Sequence, residues 1–206
     1  PWYFKKSEDE TMHQAVQREA EQVRQTAGIL DGSTLGKIEI KGKDALTFVN
    51  LMYTNSFTKM KPKTGRYALM LGEDGMVKDD GIVCKINDQH FIVTTTTGNA
   101  ASVLAHMEEY SQTEWPNLNV YMNSITEQFA TFNLSGPKSR VIMSRVFNDI
   151  DFSNDQFPFM SFNNFKYLDT EIRILRASFT GELGYEIYVP PSYALKLWQK
   201  FFISSR

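Results

Sequence analysis

The stretch YALMLGEDGMVKDDGIVCKINDQHFIVTTTT, residues 67–97, decides the fold. Tyr67–Leu71 is apolar, and Glu73-Asp74-Gly75 is a hairpin signal. Val77–Ile86 reads as the return strand, and Asn87-Asp88-Gln89 marks a second tight turn. His90–Thr97 is a β-branched run, and branched side chains suit a pleated sheet. The pattern predicts an antiparallel meander, with a helix over Ala100–Tyr110 packed on it.

Toward the N-terminus, residues 1–8 read as an irregular lead-in. Glu8, Asp9, Glu10 and Thr11 place negative charge where a helix should begin, and the apolar spacing from Met12 carries that helix to near Gly28. Lys37–Lys41 alternates strictly, as a half-buried strand does. Ala45–Met52 fits a short helix, and 55–64 is a polar loop. Toward the C-terminus, strands are expected at Leu118–Met122 and Phe129–Leu134. Ser135-Gly136-Pro137 then turns into a helix over Lys138–Phe147. Residues 148–166 look loop-rich. Strands at Glu171–Phe179 and Tyr185–Val189 flank the turn Thr180–Gly184, and a last helix covers Tyr193–Phe202. Without a regular βαβ alternation, the chain reads as α+β, with antiparallel sheets and packed helices.

Composition removes several classes of function. A net charge of -2, from 22 basic and 24 acidic residues, leaves no electrostatic footprint for nucleic acid. Lys59, Lys61 and Lys63 read as a solvated turn around Pro62. Cys84 is alone, so neither an internal disulfide nor a zinc site is indicated, and a cytoplasmic location is expected. No apolar run approaches the roughly 18 residues of a membrane span, so no membrane partner is expected. His13, His90 and His106 are isolated, with no HExxH or P-loop, and no metal site is expected. Gly181 and Gly184 do not make a dinucleotide fingerprint. Both ends look like cuts inside a longer protein.

Asp79 and Asp80 lie on a predicted strand, where neighbours point to opposite faces. Asp80 shares a face with Ile82, Cys84 and Ile86, and Asp79 shares one with Val77, Gly81 and Val83. Both faces carry apolar residues, so each carboxylate needs a partner or a ligand. Spacing leaves two readings open, a functional aspartate or a polar pair neutralised by nearby cations. Glu186 lies opposite Ile187 and Val189 by parity, and the local pattern favours a solvent-facing residue. The run Thr94–Thr97 ends at Gly98, where a ligand contact at a strand end is possible.

An ordered series of motifs resembles the aminomethyltransferase-like domain of heterotetrameric sarcosine oxidase alpha subunits, within the glycine-cleavage T-protein family. It runs through Gly28–Ile38 (GILDGSTLGKI), Tyr53-Thr54-Asn55, Gly65-Arg66-Tyr67, Asp74-Gly75 with Asp79-Asp80-Gly81, and Thr95–Gly98. Gln112–Pro116, Thr126–Gln128, Gly136-Pro137 with Ser139-Arg140, and Gly181–Glu186 complete it. The resemblance implies the first two lobes of a folate-binding cloverleaf, roughly 1–42 with 140–206 and 43–139, with a third, β-barrel lobe beyond Arg206. Carried over by position, Asp80 matches a catalytic aspartate near folate N10, and Glu186 a glutamate that hydrogen-bonds the pterin. Tyr67, Thr96, Phe159 and Phe179 match residues lining the cofactor.

The resemblance further implies that a flavin-bearing beta subunit oxidises sarcosine, with flavin and NAD bound elsewhere in the complex. Tetrahydrofolate in this segment would capture the released carbon as 5,10-methylenetetrahydrofolate. Two alternatives stay open: a glycine-cleavage-type aminomethyltransferase served by a lipoyl carrier, and a folate-binding scaffold without chemistry.

Overall fold

The computed structural model describes residues 5–204, so residues 1–4 of the expected lead-in lie outside the described residues. Among the described residues, five α-helices and ten strands follow in the order α1 (Met12–Gln25), β1 (Gly28–Asp31), β2 (Gly36–Lys41), α2 (Ala45–Met52), β3 (Thr64–Leu71), β4 (Val77–Asn87), β5 (His90–Thr95), α3 (Ala100–Thr113), β6 (Tyr121–Ser124), β7 (Ala130–Ser135), α4 (Ser139–Val146), β8 (Phe162–Tyr167), β9 (Thr170–Leu175), β10 (Gly184–Val189) and α5 (Pro191–Ser204). A 3₁₀ turn, Thr126–Gln128, precedes β7. The strands form two five-stranded antiparallel sheets, ordered β1-β7-β10-β9-β8 and β3-β4-β5-β2-β6.

The predicted meander is β3-β4-β5. Gly75 takes φ 77 at the first turn, a conformation that glycine reaches without strain. At the second turn Asn87 Oδ1 accepts from the Gln89 amide at 2.8 Å. Helix α1 starts on a capping box between Thr11 and Gln14 and stops at Gln25, short of Gly28, because Gly28 already begins strand β1. The strand expected at Leu118–Met122 is displaced to β6, and the one expected to reach Phe179 stops at Leu175. Strand β8 lies in the stretch read as loop-rich; its apolar residues do not alternate cleanly, and it is the edge strand of its sheet.

Apolar residues group into three clusters that order the layers. Helices α2 and α3 cover one face of the β3–β6 sheet through Phe48, Val49, Val103 and Met107 against Ile38, Ile40, Val83 and Val93. Helices α4 and α5 cover the far face of the other sheet through Ile142, Met143, Leu197 and Phe201 against Tyr185, Ile187 and Val189. Between the sheets lie Ile82, Cys84 and Ile92 from one and Phe162, Leu175 and Tyr188 from the other. The molecule is therefore layered helix, sheet, sheet, helix, and both sheets are covered on both faces. No helix among the described residues is long and apolar enough to cross a membrane.

Candidate functional site

The inter-sheet core opens at one end into a cleft of about 170 Å³, lined by Asp80, Ile82, Thr94, Thr96, Tyr67, Phe179 and Glu186, among others. Its position follows from a fault in the β4–β5 ladder. Val83 pairs with Val93, but two residues before Val83, Gly81 approaches Thr94 so closely that an added Cβ would lie 1.9 Å from the Thr94 carbonyl oxygen. The Ile82 amide donates instead to Thr94 Oγ1, at 2.9 Å. The strands diverge there, and β4 continues paired only with β3, which sets Asp80 across from Leu69.

Parity then separates the two aspartates as the alternation predicts. Asp80 shares the inter-sheet face with Ile82 and Cys84 and reaches the cleft. Asp79 turns to the helix side and is 6% exposed. It accepts from Thr96 Oγ1 at 2.7 Å, from Asn99 Nδ2 at 3.1 Å and from the Thr96 amide at 3.3 Å. Asp79 thus ties the end of β5 and the start of α3 to β4, and Thr96 is fixed beside Asp80.

Glu186 departs from the solvent-facing reading. Its parity is right, opposite Ile187, but that second face meets the other sheet, and Glu186 is buried, on the cleft wall. Burial pushes its carboxyl above the usual carboxylate range, while the hydrogen bond from Tyr188 Oη and the charge of Lys37 pull it down. Lys37 is buried, and sequence parity gave no sign of it. Its Nζ donates to the carbonyls of Ser33 at 3.0 Å and Leu35 at 2.8 Å, which folds the DGSTLGK segment into a turn that passes from one sheet to the other.

Burial lowers the Lys37 ammonium from its ordinary 10.5 to about 8, against the opposing pull of Glu186, Glu127 and Asp31. The unfolded chain therefore holds more protons than the fold between these values, so this group adds stability as pH rises from about 8 to 10.5, and that contribution is lost as pH falls through 8. Cys84, sealed between the sheets, reports their opening. The urea concentration that exposes it to a thiol reagent, measured in Lys37→Met and in the parent below pH 8 and near pH 10.5, should show the parent gaining on the variant at the higher pH. A constant gap would contradict it.

The aromatic candidates divide. Tyr67 lines the cleft, with its hydroxyl donating to the Ser178 carbonyl at 2.8 Å and accepting from the Ser178 amide at 3.1 Å. Phe179 also lines it and is 81% exposed, so one face is free for a flat partner. Phe159 does not border the cleft; its ring lies 6.5 Å from that of Tyr67 and supports it from the side. At about 170 Å³ the cleft is smaller than the roughly 300–1,000 Å³ of a whole-ligand pocket, and suits one end of a ligand. A larger groove of about 490 Å³ lies between α1 and the β1–β7 edge, and Phe179 borders both spaces.

Sarcosine oxidase subunit alpha from Corynebacterium sp. (strain U-96) is 47% identical over all of this chain, which spans 21% of that protein. An aminomethyltransferase from Thermoanaerobacter sp. (strain X514) is 33% identical over 91% of this chain, which spans 49% of it. Among solved structures, the glycine cleavage system aminomethyltransferase T from Bartonella henselae superposes with a TM-score of 0.76 at 24% identity, over 91% of this chain and 48% of that one. A chain of the heterotetrameric sarcosine oxidase from Corynebacterium sp. U-96 gives 0.61 at 9% identity, covering 93% and 92%. These two likenesses are of fold. The family model described as the GCVT N-terminal domain matches residues 1–205, and the chain belongs to that family.

Proposed function

We propose that the chain is the tetrahydrofolate-binding, one-carbon-transfer part of a sarcosine oxidase alpha subunit, in which carbon released by sarcosine oxidation is captured as 5,10-methylenetetrahydrofolate. The observation that carries the reading is the convergence of Asp80 and Glu186, from opposed sheets, on one cleft flanked by Tyr67 and Phe179. Flat aromatic faces suit a ring-shaped ligand, and buried acceptors suit its N–H edge. In this reading Glu186, steadied by Tyr188, orients the pterin, and Tyr67 and Phe179 flank it. Thr96 borders the reacting end, and Phe159 steadies Tyr67. Asp80 accepts a proton there and stabilises developing positive charge. Tetrahydrofolate, when bound, supplies the nucleophilic nitrogens that take up the carbon. A division into two lobes, roughly 1–42 with 140–206 and 43–139, belongs to the same proposal, with β2 paired into the sheet of the second lobe and β7 into that of the first; so do a flavin-bearing beta subunit and flavin and NAD held elsewhere in the complex.

The greater identity to sarcosine oxidase, 47% against 33%, favours this over a glycine-cleavage role. The test uses the full-length protein with its partner subunits, sarcosine and tetrahydrofolate. Methylenetetrahydrofolate should form only when all are present. Product formation driven by a lipoyl carrier without sarcosine would favour the aminomethyltransferase, and folate binding without product a scaffold.

A further inference from the structure

The cleft carries a polarity that its residue types do not announce. A hydroxyl both donates and accepts, so its role toward a ligand depends on where its own proton goes. Thr96 commits its proton to Asp79, at 2.7 Å, because a carboxylate accepts and has nothing to give. Tyr67 commits its proton to the Ser178 carbonyl, and Ser178 Oγ commits its own to the Glu182 carbonyl at 2.7 Å. Thr95 donates to the Thr96 carbonyl at 3.0 Å, and Thr94, which already receives the Ile82 amide, points its proton at the Ile82 carbonyl. The ionisable groups facing the space are the Asp80 and Glu186 carboxylates and the Tyr67 phenol, and among the described residues no Lys, Arg or His borders it. Lys37, behind the wall, spends hydrogens on Ser33 and Leu35.

The geometry points to an acceptor-only side-chain lining, fixed at its floor by the Asp79–Thr96 pair, that makes Thr96 a specificity-determining residue selecting ligand edges that bear N–H groups. This rests on the folate reading above and sharpens it. A tetrahydropterin carries N–H at N5 and N8, whereas the fully oxidised ring presents lone pairs at both positions. An acceptor facing a lone pair is an unpaired, repelled contact, so the cleft discriminates between oxidation states of one ring system. Asp79 never touches the ligand. It acts as a positioning residue by holding the Thr96 proton away from the cleft.

Anaerobic calorimetry on the full-length protein tests this with tetrahydrofolate and folic acid as probes. The parent should bind tetrahydrofolate at least about 100-fold more tightly than folic acid. Asp79→Asn can donate to Thr96 Oγ1 and free its proton toward the cleft, so the preference should shrink by about tenfold or more, with folic acid binding improved. Thr96→Val removes the acceptor and should weaken tetrahydrofolate while folic acid, relieved of a repelled contact, binds no worse than to the parent, so the preference shrinks here too. It supplies the variant arm if Asp79→Asn fails to fold. The Asp79→Asn change also separates polarity from ring shape, since both probes keep their shapes. Similar affinity of the parent for both probes, or an unchanged preference in the folded variants, overturns the polarity inference alone. Binding of neither probe overturns the folate reading and this inference with it.

Discussion

Replacing Asp80 by alanine in the full-length protein is expected to cut methylenetetrahydrofolate formation about 10²–10⁴-fold while sarcosine oxidation continues. The size follows from the lack of a substitute. Asp79, next in the chain, is committed to Thr96 and Asn99 on the helix side of the sheet. Glu186 is buried and bound to Tyr188. Asp80 is the exposed carboxylate of the cleft and lies on the diverging part of β4, where a ligand can reach it. Asp80→Asn divides its roles. It keeps the shape and one acceptor but cannot take a proton, so it should retain tetrahydrofolate binding while losing turnover. The rate of folate-dependent product formation, measured beside peroxide release from the same sample, checks both variants. A normal product rate in Asp80→Ala would remove the residue from the chemistry.

The sequence discloses strands more readily than what lies across from them. The meander of β3, β4 and β5 was legible because turn residues at Gly75 and Asn87 bound clean apolar runs. The opposed faces of Asp79 and Asp80 were legible for the same reason, since a period of two is a property of one strand. Glu186 and Lys37 were not. Each stands on the polar side of an alternating strand, which reads as the side toward water. Here the polar sides of β2 and β10 turn toward the space between the sheets, which the neighbouring strands fill with apolar residues, and an isolated strand holds no information about whether its second face meets solvent or another sheet. The proton commitments of the cleft hydroxyls are further removed. They depend on pairs far apart in the chain, such as Tyr67 with Ser178 and Asp79 with Thr96. The ordered motifs, read as a resemblance, named Asp80, Thr96, Tyr67, Phe179 and Glu186, which line the cleft, and Phe159, whose ring lies beside that of Tyr67.

The junction that creates the cleft should be the least forgiving point in the fold, and Gly81→Ala is expected to show it. An alanine Cβ there would lie 1.9 Å from the Thr94 carbonyl oxygen and 2.8 Å from its carbon. Both are backbone atoms of β5, so no side-chain rotation relieves the clash, and the strands must separate. Overpacking of this kind costs about 1–3 kcal/mol in ordinary cores. A rigid backbone contact at 1.9 Å belongs at or above the top of that range. Taking about 3 kcal/mol, amides of β4 and β5 protected by this junction should exchange with solvent hydrogen roughly a hundredfold faster. Separation of the strands also withdraws Thr94 Oγ1 from the Ile82 amide and moves Asp80 relative to Thr96, so binding at the cleft should fall along with protection. Gly98→Ala is the matched control. It sits just past the same strand, its added Cβ meets nothing within 4 Å, and its backbone lies outside the left-handed region. That change should leave exchange and binding near parent values. Equal behaviour of the two variants would mean that the close approach of β4 to β5 does not hold the cleft open.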